Sequence, residues 1–293
     1  MVTYNRPEFL RRSLEDLRRQ TYANLEIIIG DNGSDDERVE QIVCEFALED
    51  PRVSVHKHAT NIGPRANFAH VLKQASGEYF LWWSDDDRRE AHFIEALVEC
   101  LLMNPSSTVA FCDFDLVAPS GERLKNYEHQ FDAMFPFQAK SAALRSIRYF
   151  MQHPERQKQN SIYGLFRRHQ LVEMIDTGMN TVEDQVFIYG ALQRGSLSLS
   201  RQRLIAFTVG NAKHYDAKSV AGRTVSTKVI AELRGAVDEV KRIPSYVRAS
   251  GGWSKIWVIL LIPPKLTMLV IRLAVTVPYR FVRRRFVAAV GKI

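Results

Sequence analysis

The segment Tyr79-Phe80-Leu81-Trp82-Trp83-Ser84-Asp85-Asp86-Asp87 runs an apolar, aromatic stretch straight into three consecutive carboxylates. Five large apolar side chains in a row suit a buried β-strand, and a buried strand ordinarily ends in a neutral turn. Adjacent carboxylates repel and raise one another's pKa, so a charged triplet there needs a reason. A hard divalent cation drawing oxygen ligands from Asp85 and Asp87 supplies one; a solvated acidic turn is the alternative. In open α/β sheets, the carboxyl ends of strands are also where ligands bind.

The flanking sequence narrows the folds that can hold such a segment. Leu25-Glu26-Ile27-Ile28-Ile29 is a short strand-like run ended by Gly30-Asp31-Asn32-Gly33. Pro7 and Glu8 open a helix ahead of it, with Phe9, Leu10, Leu14 and Leu17 on one side. Residues 35–48 space Val39, Ile42, Val43 and Phe46 for one helix face. Residues 53–55 read as a strand, 66–74 as a helix, 79–83 as a strand, 93–103 as a helix and 108–117 as a strand. This alternation predicts an α/β fold, a mostly parallel sheet flanked by helices. Further on the pattern loosens: an extended excursion over 121–138, a helix over 141–151, a short strand over 161–166, and a helix over 182–193 closed by Gly195. The body is expected to end near residue 215, with a helical linker over 225–242.

Apolar content of 46% and charged content of 25% fit a globular chain of 293 residues. Cys44, Cys100 and Cys112 are odd in number and widely spaced, which fits burial in a reducing compartment. No basic-then-apolar leader opens the chain, and the expected location is cytoplasmic. Charge is unevenly spread. Eleven lysines and arginines and no acid follow Glu239, so the net +7 becomes −4 over residues 1–240. A mildly acidic body argues against a nucleic-acid partner, which would call for a basic patch beside the site.

Taken in order, Thr3-Tyr4-Asn5-Arg6-Pro7, Gln20-Thr21-Tyr22, the strand into Asp31-Asn32-Gly33-Ser34-Asp35, Asn61-Ile62-Gly63, Ser76-Gly77-Glu78-Tyr79 and Asp85-Asp86-Asp87 resemble family 2 of the glycosyltransferases. The resemblance covers residues 1–215 and implies the GT-A fold, a Rossmann-like sheet that binds a nucleotide-sugar donor. Relatives carry several apolar residues before the Thr-Tyr-Asn segment, and here only Met1-Val2 precede it. A shortened first strand and a chain start displaced downstream are therefore expected.

The resemblance also assigns roles. Thr3, Tyr4 and Asn5 would meet the nucleotide base; a helix N-terminus with Asn5 as cap is the local alternative. Asp31 would accept a hydrogen bond from the base's imide N–H, favouring uracil or thymine, or else would serve an Asx turn. Asn61, Gly63 and Arg65 would line the donor site, with Arg65 a phosphate partner or a solvated surface cation. Asp87 would ligate Mn²⁺ or Mg²⁺, and Asp85 would meet the ribose or a metal-bound water, while Asp86 has the least direct role. The cation would stabilise the diphosphate leaving group. Glu183-Asp184, opening a helix, match the family's catalytic carboxylates, with Asp184 the base; acids at a helix N-terminus are also favoured by its dipole. That dipole depresses a carboxyl pKa, so a solvent-poor site is needed to offset it. His214 would complete the metal site, or is only a solvated loop histidine.

Residues 253–262 and 266–277 are strongly apolar and separated by Pro263-Pro264-Lys265. Neither run reaches the ~20 residues that span a bilayer. With Arg283-Arg284-Arg285 beyond them they read as an in-plane segment on an anionic membrane surface; helices covering the body's own core are the alternative. The domain reading is a glycosyltransferase domain over 1–215 and a helical linker and tail over 216–293. The resulting expectation is an inverting, metal-dependent transferase acting on a glycan or lipid-linked acceptor in cell-surface polysaccharide assembly, peripheral at the inner face of the membrane. A nucleotidyltransferase is disfavoured because no Gly-rich basic loop lies near the first strand. A scaffold that has lost catalysis is the remaining alternative.

Overall fold

The β-branched run Ile27–Asp31 forms strand β2, all of it buried, as suits a strand covered on both faces. Val2–Thr3 (β1) and Val53–Lys57 (β3) pair with it in parallel on either side. Helices Pro7–Arg18 (α1), Glu37–Glu49 (α2) and Pro64–Gln74 (α3) follow these strands. Prolines in the first turns of α1 and α3 preset φ where no N–H is needed. The α2 start is capped by Asp36, whose carboxylate accepts from the Arg38 amide. The buried sides, Leu10, Leu14 and Leu17 of α1 and Val39, Ile42, Val43 and Phe46 of α2, are those the spacing predicts.

The computed structural model describes residues 1–118, 120–124, 135–152, 158–179, 184–208 and 225–290, without the side chains of 225–233 and 272–290. Its second sheet is built from Tyr79–Phe80 (β4), Arg88–Arg89 (β5), Ser107–Val117 (β6), Leu165–Arg167 (β7) and Ser196–Thr208 (β8), in the order β4-β7-β6-β8-β5. The β6–β8 ladder is parallel and long, while the antiparallel pairings in this sheet are short. Helices Phe93–Met103 (α4), Ala142–Met151 (α5), Arg168–Asp176 (α6) and Asp184–Arg194 (α7) complete this half. Helix α7 is buried from Gln185 through Leu192. Gly195 ends it where a Cβ would meet Thr108 Oγ1 at 2.4 Å. The α/β class expected from the sequence is the one observed.

Three local expectations are corrected. The strand expected over 79–83 stops at Phe80, because both tryptophans turn into the core. There Trp83 Nε1 donates to Ser13 Oγ at 2.8 Å and Trp82 Nε1 to the Phe68 carbonyl at 3.2 Å. The strand expected over 161–166 is instead a 3₁₀ turn, Lys158–Tyr163, followed by β7. The two apolar runs of the tail are one helix. After Val225–Ala249 (α8), Gly252–Val290 (α9) continues through Pro263-Pro264. Its segment Gly252–Ile271 is 20 residues long with mean hydropathy 1.7, so the length that the separate runs lack is reached. Helix α9 packs on α5 and α8, and α8 packs in turn on α7.

Candidate active site

The acid triplet lies in the loop between β4 and β5, pinned at both ends. Upstream, Trp82 and Trp83 are buried and the Ser84 carbonyl accepts from Ser13 Oγ at 2.9 Å. Downstream, Arg88 grips Asp16 with Nε at 2.6 Å and a second nitrogen at 2.8 Å, a bidentate geometry that fixes the loop's exit. Between these anchors Asp85 and Asp87 are each only 6% exposed.

Each carboxylate has a defined surrounding. Asp85 accepts from Thr3 Oγ1 at 3.0 Å and from the Arg6 guanidinium at 3.1 Å, and Arg6 also reaches Asp86 at 3.1 Å. Asp87 accepts from Ser84 Oγ at 2.5 Å and from the Thr208 amide at 3.0 Å, while Thr208 Oγ1 donates to the Asp86 carbonyl at 2.7 Å. The end of β8 thus clasps the triplet. Burial pushes the Asp85 carboxyl up to about 6, against the pull of Arg6. Burial likewise raises Asp87, against the charge of Arg89. Arg89 is itself buried, with its guanidinium 4.3 Å from the Trp83 ring centre.

The neighbouring strand ends form a second wall. Asp31, at the carboxyl end of β2, is 1% exposed. Its Oδ1 accepts from the Ser34 amide at 3.0 Å, and its Oδ2 has no hydrogen-bond partner among the described residues. A buried carboxylate oxygen without a donor is costly to leave unpaired, which marks it as an acceptor for a ligand. Asn32 Nδ2 donates to Asn61 Oδ1 at 3.0 Å, and Asn61 Oδ1 also accepts from the Gly63 amide at 2.8 Å. Gly33 is required here: its φ is +74° and a Cβ would lie 2.6 Å from the Thr60 carbonyl carbon.

Two of the first-loop residues differ from expectation. Asn5 does not cap α1, whose N-cap is Arg6 without a side-chain bond. With φ at 54°, Asn5 instead points its Oδ1 at the amides of Asp35 (3.0 Å) and Asp36 (3.3 Å). It ties the β1–α1 loop to the start of α2, a task its tolerance of the left-handed region allows. Tyr4 is exposed at 41%, and Arg65 is exposed on the first turn of α3. Glu183 and His214 lie outside the described residues.

Asp184 stands at the first turn of α7. Burial raises its carboxyl to about 6, outweighing the opposing pull of its own backbone N–H and of Arg242 from α8. The solvent-poor surroundings that a base at a helix N-terminus needs are therefore present. Tyr163, at the end of the 3₁₀ turn, feels the charge of this residue and of the triplet. Its phenol is held neutral first by burial and then by the charges of Asp87 and Asp184. Arg6, Tyr163, Arg89 and Thr208 were not singled out as site residues from sequence. Arg89 adjoins the triplet in sequence and Arg6 lies inside the Thr3–Pro7 motif, whereas only the tertiary fold brings Tyr163 and Thr208 to it.

The residues fit a divalent cation by donor chemistry. Among the described residues no group of three or more His, Cys, Asp or Glu is arranged as a metal cage. Two buried carboxylates suit Mg²⁺ or Mn²⁺, which commonly pair one or two such groups with phosphate oxygens and water. A cation there would also relieve the cost of ionising Asp85 and Asp87 in a buried site. A cavity of about 330 Å³ lies elsewhere, at the amino ends of β1, β2 and β4, lined by Met1, Leu25, Ile28, Tyr79 and Trp83. Strand carboxyl ends, where the acids converge, are where such sheets bind ligands, so the cavity is not the reaction site.

The sequence profile of glycosyl transferase family 2 matches residues 1–161. An uncharacterized glycosyltransferase of Haemophilus influenzae is 30% identical over 119 residues, 39% of this chain and 47% of that protein. An uncharacterized protein of Mycobacterium tuberculosis is 32% identical over 125 residues, 42% of this chain and 36% of that protein. These matches take in less than half the length of either relative. Among solved structures, S. aureus TarS 1-349 in complex with UDP-GlcNAc superposes with a TM-score of 0.55 at 17% identity, over 85% of this chain and 69% of that one. The mannosyltransferase PcManGT from Pyrobaculum calidifontis, in complex with GDP-Man and Mn²⁺, superposes with a TM-score of 0.58 at 14% identity, over 100% of this chain and 79% of that one. At these identities the likeness is one of fold, the GT-A architecture.

Proposed function

The chain belongs to glycosyl transferase family 2, and from that premise we propose that it moves a hexosyl group from a nucleotide sugar to an acceptor hydroxyl with inversion. The observation that carries this reading is the occurrence of buried Asp85 and Asp87 together with a third carboxylate of raised pKa, Asp184, the charges of Asp87 and Asp184 both acting on the Tyr163 phenol. The donor end and the proton-accepting end of a displacement are thereby represented in one site.

Asp31 Oδ2 is the acceptor for a base imide N–H, which favours a donor carrying uracil or thymine. Asn61 and Gly63 shape the loop beside it. Asp87, with Asp85, would hold Mn²⁺ or Mg²⁺, which would supply Lewis-acid stabilisation of the departing diphosphate. Asp184 takes the proton of the acceptor hydroxyl as its oxygen bonds to the anomeric carbon and the bond from that carbon to the diphosphate breaks. A neighbour bound to UDP-GlcNAc supports a uridine donor, and one bound to GDP-Man and Mn²⁺ supports a divalent cation. The proposed acceptor is a glycan or lipid-linked hydroxyl, met on the cytoplasmic side, where the free thiols of Cys44, Cys100 and Cys112 persist.

Calorimetric titration of UDP, GDP and dTDP with and without Mn²⁺, repeated on Asp87→Asn, tests the donor half. Mn²⁺-dependent UDP binding lost in the variant is the expected result. Failure of every nucleotide to bind the folded chain would favour a scaffold over an enzyme.

A further inference from the structure

Helix α9 has two opposite sides. One is fastened to the body: Ser254, Val258, Lys265 and Leu269 are buried against α8 and α5. The Lys265 ammonium pairs with Glu239 of α8 and donates to the Phe150 carbonyl of α5. The other side faces out. Trp253 is 76% exposed, Leu260 59% and Val270 65%, with Ile256, Trp257 and Ile271 between and beyond them. From Gly252 to Ile271 the exposed polar side chains are only Lys255 and Thr267, and the Thr267 hydroxyl is satisfied by the Pro263 carbonyl at 3.0 Å. At 1.5 Å per residue this is an apolar strip roughly 30 Å long, more contiguous than soluble monomers ordinarily leave in water.

We infer that the outward face of α9 is an in-plane docking surface for an anionic lipid bilayer. Three observations select this occupant. The charge is complementary: no acid follows Glu239 anywhere in the chain, and Lys241 and Arg248 of α8 and Lys255 of α9 are exposed, with Arg272 and Arg283-Arg284-Arg285 following in sequence. A second copy of the chain would bring the same cations to the same face, and like charges would oppose pairing. The orientation follows from the fastened side. If α9 crossed the bilayer, the Lys265 ammonium would enter hydrocarbon and buried Glu239 would keep only the longer Arg242 pair at 3.7 Å, both costly. The helix therefore lies along the surface, with Trp253 and Trp257 at the level of the headgroups. This inference stands independently of the donor chemistry.

Flotation of the full chain with vesicles of phosphatidylcholine alone, or of phosphatidylcholine mixed with phosphatidylglycerol, tests it. Binding to the anionic vesicles is expected, weakened by salt and reduced roughly tenfold or more in Ile256→Glu/Leu260→Glu, since binding scales with buried apolar area and lipid charge. A thermal melt of the variant confirms that it folds, because both side chains point into solvent. Carbonate extraction at high pH is expected to release the protein from membranes. Equal binding by the variant, or equal binding to neutral and anionic vesicles, overturns the proposal. Resistance to carbonate would assign a span in place of an in-plane helix. A dimer that the substitutions dissociate, with no vesicle binding, would assign the face to a second copy.

Discussion

The two ends of the site hold their carboxylates by different means. Asp85 and Asp87 sit in a mesh of hydrogen bonds from Thr3, Arg6, Ser84 and Thr208. Among the described residues no side chain hydrogen-bonds to Asp184, which is placed by the buried helix behind it and raised by desolvation. The mesh fixes oxygens in position and suits groups that bind. All three carboxyls are raised by burial. What sets Asp184 apart is its lack of side-chain hydrogen bonds among the described residues, which suits a group that must pick up a proton and let it go.

Asp184→Asn tests that division most sharply. It is expected to lower kcat by roughly 10²–10⁴-fold and to leave Mn²⁺-dependent UDP affinity unchanged in calorimetry. Loss of nucleotide affinity with kcat would break the comparison. Gly33→Ala comes next on the donor side, because φ of +74° and the Thr60 backbone leave no room for a methyl group. A loss of about 1–3 kcal/mol in unfolding free energy by denaturant titration is expected, together with weaker UDP binding.

Asp184 also makes a prediction about stability. Its folded pKa, about 6, lies above the ordinary carboxylate value, so folding favours the protonated form. Its ionisation therefore costs stability that is intact below about pH 4 and lost as pH rises through 6. Asp184→Asn should thus stabilise the protein at pH 7–8 by up to about 3 kcal/mol, read as a gain in Tm that vanishes near pH 4. The acid limb of kcat/KM is expected near pH 6, where Asp85 and Asp87 as well as Asp184 ionise, with activity rising through it. Thr3→Val, which removes one of several bonds to Asp85, should cost the least, about 1 kcal/mol of donor binding, with kcat nearly intact.

Much of the donor side was legible because its signals are local. Asp31-Asn32-Gly33 and Asn61-Ile62-Gly63 carry their loop geometry in side chains and in a positive φ close in sequence, and the acid triplet announces itself by charge. What escaped depends on distant chain. Thr208 was hidden because Ser200-Arg201-Gln202-Arg203 breaks the apolar pattern of β8, although the strand runs through it with irregular register. The two tryptophans looked like ladder residues, since apolar character reports burial and not hydrogen bonding. Pro263-Pro264 looked like a break because proline disfavours helix interiors, yet packing against α5 and α8 carries α9 through.

The clasp of Thr208 on Asp86 and Asp87 also dates the assembly of this site. The clasping residue lies more than a hundred positions after the acids it holds. During synthesis at about 5–20 residues per second, the triplet leaves the ribosome several seconds before β8 exists. Until β8 slots between β6 and β5, Asp86 and Asp87 lack the Thr208 bonds that clasp them, and only Thr3 and Arg6 hold the triplet from the other side. A nascent chain halted before residue 196 would therefore carry the acid motif without the site, and nucleotide binding should appear only once the last strand has been made.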